Sequence, residues 1–413
     1  MALSASASPS TPAALEGILV LECASLVAGP YCGKLLAELG AEVIKAEPPD
    51  GDPSRKLGPF PRAAPDAEAS ALFLYCNIGK RSVTLDLRHA GGAALLRRLA
   101  AQADVLIEDA GVGVMDALGL GYVALGAENP GLIYLSITPF GLTGPYAGYR
   151  ASDLGVCAAG GEAFTMPGTL STALFPDREP VRSGGYITAY DCGVTASVAV
   201  LSALMQREMT GVGQHIDLSQ QEAAMAIARE SPLQRYPGYG KIVDRQAQNF
   251  FGGMFPCQDG YVTLSPRENA HWRALCDAMQ RPDLADDPRF SSFDARHHNS
   301  DALNAELRVW AAARLKQWIY REVASRGCPA SAFSSVEEVL ASEQLASRGF
   351  FHTLDHPRAG RLRYPGAPYR MSRTPARYER AAPLLGEHNR DVLCGRLGLA
   401  PQELAILRAQ GAI

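Results

Sequence analysis

Short aliphatic runs alternate with amphipathic stretches through the first half of the chain. ILVLEC (18–23) has the length and content of a buried strand, and AGP (28–30) reads as the turn after it. YCGKLLAELG (31–40) carries leucines at helical spacing and ends on Gly40, a stop signal, before the next strand, EVIKAE (42–47). Strand, helix, strand in that order predicts a parallel βαβ unit. The rhythm returns in VTLDL (83–87), a helix around 90–102, DVLIED (104–109) and LIYLSIT (132–138). A long apolar helix over roughly 188–209, the strand QHIDLS (214–219) and the helix QQEAAMAIARE (220–230) follow. The pattern predicts a doubly wound α/β domain.

From about 232 the periodicity loosens into Gly, Pro, Tyr and Asn. A smaller unit then begins with the strand YVTLS and helices near 268–279, 300–314 and 316–327. After 350 the chain is rich in Arg and Pro with short strands, and a charged helical tail is expected over 387–409. No repeat of fixed period is visible. One insertion between two parts of a larger domain accounts for this order.

Charge narrows the function classes. With 39 basic and 43 acidic residues the net charge is −4, so no basic field points to nucleic acid or an acidic membrane. Nine cysteines, an odd number, stand singly without metal or redox spacing, which predicts free thiols and a cytoplasmic location. The stretch ALSASASPSTPAA lacks a basic start and reads as a disordered leader. No apolar span of membrane-crossing length is expected.

Generic motifs fail on chemistry. Gly111-Val-Gly113 follows a strand, as a dinucleotide fingerprint would, but Asp116 stands where Gly or Ala is needed. Gly29 to Lys34 is one residue short of a phosphate loop, and Leu35 replaces its hydroxyl. Adjacent His297 and His298 cannot both face one ion from a helix, and no G-x-S-x-G elbow occurs.

Five stretches in order carry a resemblance over nearly the whole chain. They are LEGILVLECASLVAGPYCGKLLAELGAEVIKAEPPDGDPSR from Leu15, NIGKRSVTLDLR (77–88), ADVLIED (103–109), TGVGQHIDLSQQEA (210–223) and PLLGEHNRDVL (383–393). Together they resemble the family III CoA transferases, the group of formyl-CoA and carnitine CoA-transferases that also includes the α-methylacyl-CoA racemases. The resemblance implies a large Rossmann-like domain, 15–230 and 345–413, made from both chain ends after a leader of 1–14. A small α+β domain, 231–344, is inserted in it, and two subunits form an interlaced homodimer. It also implies an acyl-CoA donor and a carboxylic-acid acceptor as partners, coenzyme A as substrate, and no permanently bound cofactor.

By the same resemblance the nucleophile is an Asp in a Pro-rich segment, which matches Asp177 in FPDREP, with Asp153 and Asp191 as rivals. A carboxylate of reference pKa ~3.9 is ionised at neutral pH and attacks a thioester without a base. The family's mobile glycine loop, a source of oxyanion donors, matches Gly252 and Gly253. Its CoA contacts map onto Val27 and Ala28; Leu85, Asp86 and Arg88; Asp109, Ala110 and Gly111; and Thr138, Phe140 and Gly141. Lys80 and Arg81 are further sources of positive charge. Three positions depart from the pattern: Asp109 stands where Asn is common, Ala117 where a basic residue often lies, and Thr138 where Lys can occur.

The racemase branch carries a His where this chain has Ser152, and a hydroxyl with no partner base is a poor acceptor of an α-proton. Racemization and a catalytically inactive acyl-CoA-binding protein are the alternatives.

Overall fold

The computed structural model describes residues 12–61, 64–161, 163, 177, 179, 181, 184–227 and 251–413. The chain divides into two compact units. One comprises Met1–Phe164, Arg182–Arg229 and Arg348–Ile413, the other Thr165–Val181 and Glu230–Ser347.

In the first unit six strands form one sheet: β1 (Leu19–Cys23), β2 (Glu42–Glu47), β3 (Arg81–Thr84), β4 (Val105–Glu108), β5 (Ile133–Thr138) and β6 (His215–Ser219). Their order is β3-β2-β1-β4-β5-β6, and every pairing is parallel. Helices cover both faces, so the inner strands are apolar on both sides. Leu19, Leu21, Ile44 and Leu106 pack on one face with Leu95, Leu96 and Leu99 of α3 (Ala90–Ala100), the helix after α1 (Ala28–Glu38) and α2 (Ala71–Cys76). Val20, Val43, Val105 and Ile107 pack on the other with Cys32 and Leu36 of α1.

Helix α1 begins at Ala28, so AGP forms its first turn and is not the expected turn; proline is tolerated there because its missing N–H would find no intrahelical partner. Two glycines let α1 lie close on β1. A Cβ at Gly29 would stand 2.2 Å from the Ala24 Cβ, and one at Gly33 would stand 2.0 Å from Glu22 Oε2. Gly40 ends the helix at φ +100°, with Ala13 against it. Ala13 is buried, so the packed chain starts inside the expected leader; residues 1–11 lie outside the described residues.

After α4 (Val114–Ala117), α5 (Tyr122–Glu128) and α6 (Asp153–Ala159) comes α7 (Ile187–Thr210). By length and composition α7 could cross a membrane, which corrects the expectation that no span qualifies. Half of its apolar window is buried in the fold, with Ala189, Cys192, Ala196 and Val200 in the core shared with α1. Helix α8 (Gln220–Ile227) follows β6.

The hairpin of β10 (Phe351–His356) and β11 (Gly360–Pro365) returns the chain to this unit. Residues 383–389 then close over β3: the Ser82 N–H meets His388 Nδ1 at 3.3 Å, and the Thr84 N–H donates to Asn389 Oδ1 at 2.8 Å. The expected single tail helix is two elements, a π-helical turn over Arg390–Arg396 and a helix over Pro401–Ala409.

The second unit has an antiparallel sheet of β7 (Gly253–Cys257), β8 (Gly260–Leu264) and β9 (Ala330–Ala332), in that order. Helices over Asn269–Met279, Ser300–Ala312 and Lys316–Ser325 bury Trp272, Leu275, Leu303, Leu307, Ile319 and Val323 against it. All nine cysteines are free thiols.

Candidate functional site

In a parallel sheet all strands end on the same edge, so the loops after β1, β3, β4 and β5 emerge together. Val27 and Ala28 follow β1; Leu85, Asp86 and Arg88 follow β3; Asp109, Ala110 and Gly111 follow β4; Thr138, Phe140 and Gly141 end or follow β5. The strand order reverses between β1 and β4, which leaves a crevice between the first and third of these loops. Open α/β sheets bind ligands at such a reversal.

The two crevice loops are tied to each other and to the layer beneath. Asp109 accepts the Ser25 N–H at 2.9 Å, and Asp52 accepts the Leu26 N–H at 3.2 Å. Leu26 sits at φ +60°, a left-handed conformation that leucine disfavours. Below it the Lys45 ammonium stands 2.8 Å from Asp52 Oδ2, 3.0 Å from Glu22 Oε1 and 2.9 Å from the Ala24 carbonyl. Burial works against the Asp52 carboxylate, but Lys45 and Ser54 outweigh it and hold the pKa down at about 2.

Other expected contacts divide by position. Arg88 is exposed and paired with Asp86, leaving it at the rim as an accessible cation. Leu85 is buried, and the Asp86 N–H donates to the Ala412 carbonyl. Thr138 is buried with its hydroxyl unpartnered among the described residues, and Gly141 turns at φ +87°.

Two expectations are corrected. Lys80 lies wholly inside the fold and uses its three donors on Glu22, the Pro30 carbonyl and Asn77, at 2.7, 2.7 and 2.9 Å. Burial pulls its pKa down to about 8, with Glu22 opposing. It neutralises Glu22 and has no donor left for a pyrophosphate. Arg81 opens β3, away from the edge where the loops gather, and faces Glu42 at 3.7 Å.

In the second unit Asp177 is an exposed turn residue; Pro176, Arg178 and Pro180 around it lie outside the described residues. Gly252 is buried at φ +80°, and its N–H donates to Asn304 Oδ1 at 2.9 Å. A Cβ there would stand 2.6 Å from the Leu264 carbonyl oxygen. The expectation that Gly252 offers an oxyanion donor is therefore corrected: its N–H is already engaged, and the residue is glycine for close packing. Gly253 opens β7 opposite Leu264. Of the rival carboxylates, Asp153 accepts the Ala189 N–H in the first turn of α7 at 3.1 Å. Ser152, at the racemase histidine position, is engaged in capping α6.

With this geometry in hand, the chain compares directly with known proteins. The model of CoA-transferase family III matches residues 15–389. The chain belongs to that family. It is 32% identical to a formyl-CoA:oxalate CoA-transferase of Streptomyces avermitilis, covering 97% of this chain and 99% of that one. It is 33% identical to a succinyl-CoA–D-citramalate CoA-transferase of Chloroflexus aurantiacus, covering 97% and 98%. A solved CAIB/BAIF family protein from Brucella suis superposes with a TM-score of 0.81 at 33% identity, covering 94% and 99%. The protein is a CoA-transferase, and CoA thioesters are its class of substrate.

Charged residues of the transferase that the motifs did not single out lie on β1 and β2 and in the segment after β2. Glu22, Lys45, Glu47, Asp52 and Arg55 are all buried, with Arg55 bound to Glu47 at 2.7 Å and to Glu68 at 2.7 Å. The available signal was charge inside the apolar strands LVLEC and EVIKAE. Beside the Asp109 loop, a cavity of about 130 Å³ is lined by Glu108, Gly111, Asp116, Tyr122, Tyr134, Ser136 and His215 among others. Ser136 Oγ stands 2.9 Å from His215 Nε2, and the His215 ring stacks on Tyr122. Burial raises the Glu108 pKa and lowers that of His215, in each case by disfavouring the charged form.

Proposed function

We propose that the transferase moves CoA from an acyl-CoA thioester to a free carboxylic acid through covalent intermediates on Asp177. The single observation that supports this reading is the gathering of four loops of the family's nucleotide pattern along one edge of the sheet, two of them flanking its reversal point. The exposed Asp177 carboxylate supplies the nucleophile. One of its oxygens attacks the thioester carbonyl, and the tetrahedral oxyanion collapses by expelling CoA thiolate to leave a mixed anhydride. The thiolate then attacks the aspartyl carbonyl, which releases the donor acid and leaves an aspartyl-CoA thioester. The acceptor carboxylate attacks that thioester, forming a second anhydride, and the returning thiolate takes its acyl group. Asp177 is regenerated, and no net proton is consumed. A carboxylate suits each step because it is both nucleophile and leaving group.

The working form in this reading is an interlaced homodimer. An exposed apolar stripe on α7, made of Val194, Val198, Met205 and Met209, supports a second copy as its cover. The free thiols support a reducing, cytoplasmic setting.

The test is to mix the enzyme with donor acyl-CoA in the absence of acceptor, then add hydroxylamine. A hydroxamate on the peptide containing Asp177 is expected, and Asp177→Asn is expected to lose both label and turnover by several orders of magnitude. Label on Asp153 or Asp191, with Asp177→Asn still active, would move the nucleophile. No labelled carboxyl under any donor would remove the covalent mechanism.

A further inference from the structure

We propose that Asp52 and Lys45 are positioning residues for the nucleotide loop, holding Leu26 left-handed so that the backbone of Val27 and Ala28 is set for CoA. This rests on the reading that the loop after β1 contacts the nucleotide.

The backbone of Leu26 departs from what its own side chain prefers. Leu26 is at φ +60° and is 39% exposed, and it is absent from the buried apolar core. What holds it is polar and lies inside the fold. Asp52 Oδ1 accepts the Leu26 N–H at 3.2 Å and is itself fixed by the Ser54 N–H and hydroxyl, each at 2.7 Å. Lys45 stands 2.8 Å from the other Asp52 oxygen and donates to the Ala24 carbonyl at 2.9 Å, so it grips the loop two residues before Leu26. Asp52 and Lys45 are each 1% exposed, which shields the pair from solvent and salt. The loop thus enters α1 under tension from below, and Val27 and Ala28 inherit its direction. Neither side chain need reach the substrate to act on it.

Coenzyme A itself is the probe, titrated calorimetrically into the full-length enzyme. Asp52→Ala is expected to weaken CoA binding about tenfold, as Leu26 relaxes to its preferred backbone region. Leu26→Gly alone is expected to weaken CoA binding less than Asp52→Ala does, because glycine adopts positive φ without strain. In the Asp52→Ala background Leu26→Gly is expected to recover most of the lost affinity. A role confined to general stability would not be rescued in this way. If Asp52→Ala alone does not fold, Asp52→Ala with Lys45→Met removes the acceptor without leaving a buried ammonium unpaired, Glu22 keeping Lys80, and is read against Leu26→Gly instead.

Unchanged binding in the Asp52 variants, or a loss that Leu26→Gly does not recover, overturns the proposal. Ala110→Glu separates this from the underlying reading. It places a carboxylate on an exposed loop position and should weaken binding of polyanionic CoA by itself. If it does not, the nucleotide assignment fails and the positioning role falls with it.

Discussion

Asp109 Oδ2 accepts the backbone N–H of Ser25 at 2.9 Å, so the loops on either side of the strand reversal are joined through one carboxyl group. Burial pushes that carboxyl up to about 7, with Asp52 and Glu108 adding to the effect against the Ser25 N–H and Lys45. Near neutrality it is therefore half protonated, and when neutral it resembles an Asn side chain in shape and charge.

The folded value exceeds the unfolded value of ~3.9, so the native state holds the proton more tightly. The associated stability is complete below pH ~4 and is lost as pH rises through about 7. Asp109→Asn should flatten this slope and gain on the order of 1–3 kcal/mol relative to wild type at pH 8, read by chemical denaturation at several pH values. The KM for acyl-CoA should climb above pH 7 in the wild type, where an anion faces the polyanionic substrate, and stay level in Asp109→Asn. A parallel rise in both would assign the effect to another group.

Gly33 offers a packing test. A Cβ there would stand 2.0 Å from Glu22 Oε2, the same oxygen that holds Lys80 at 2.7 Å. Gly33→Ala should cost about 3 kcal/mol or more, since it disturbs a fully buried ion pair, or else abolish soluble expression. Gly148→Ala is the control, because a Cβ there meets nothing within 4 Å. It should change stability by under ~0.5 kcal/mol.

Arg88 should act as a rim charge. Its side chain is 82% exposed. Arg88→Ala should raise the KM for acyl-CoA a few-fold without changing kcat, and the salt dependence of KM should become shallower. A large fall in kcat would place Arg88 closer to the chemistry.

The stripe on α7 separates a covered face from an open one. Met205 and Met209 are 71% and 80% exposed in the single chain. If a second copy covers them, Met205→Lys with Met209→Lys should yield aggregated or unfolded protein and no stable dimer in sedimentation. If the face is open, the same changes should raise solubility and leave activity unchanged.

The alternation of strands and helices was legible because the inner strands carry apolar runs such as ILVLEC and LIYLSIT, and the late return of the chain showed in the loss of periodicity after 232. Sequence neighbourhood misled where three-dimensional direction mattered. Lys80 and Arg81 stand close to LDLR in the chain, but Lys80 precedes β3 and Arg81 opens it, while the nucleotide loops follow their strands. The left-handed backbone of Leu26 had no sequence signal, since leucine does not mark such a position as glycine would. Nor did Gly252 reveal that Asn304, 52 residues away, takes its N–H.

The contacts that seal β3 also set a timetable for synthesis. Thr84 waits for Asn389, and Ser82 for His388, partners 305 and 306 residues further along the chain. Arg55 likewise meets the Pro383 carbonyl only after 328 more residues are made. At roughly 5–20 residues per second, the ribosome leaves that edge of the sheet uncovered for about 15–60 s. Throughout that interval the nascent chain carries an open strand edge, so chaperone supply and translation speed should govern its yield more than the stability of the finished fold.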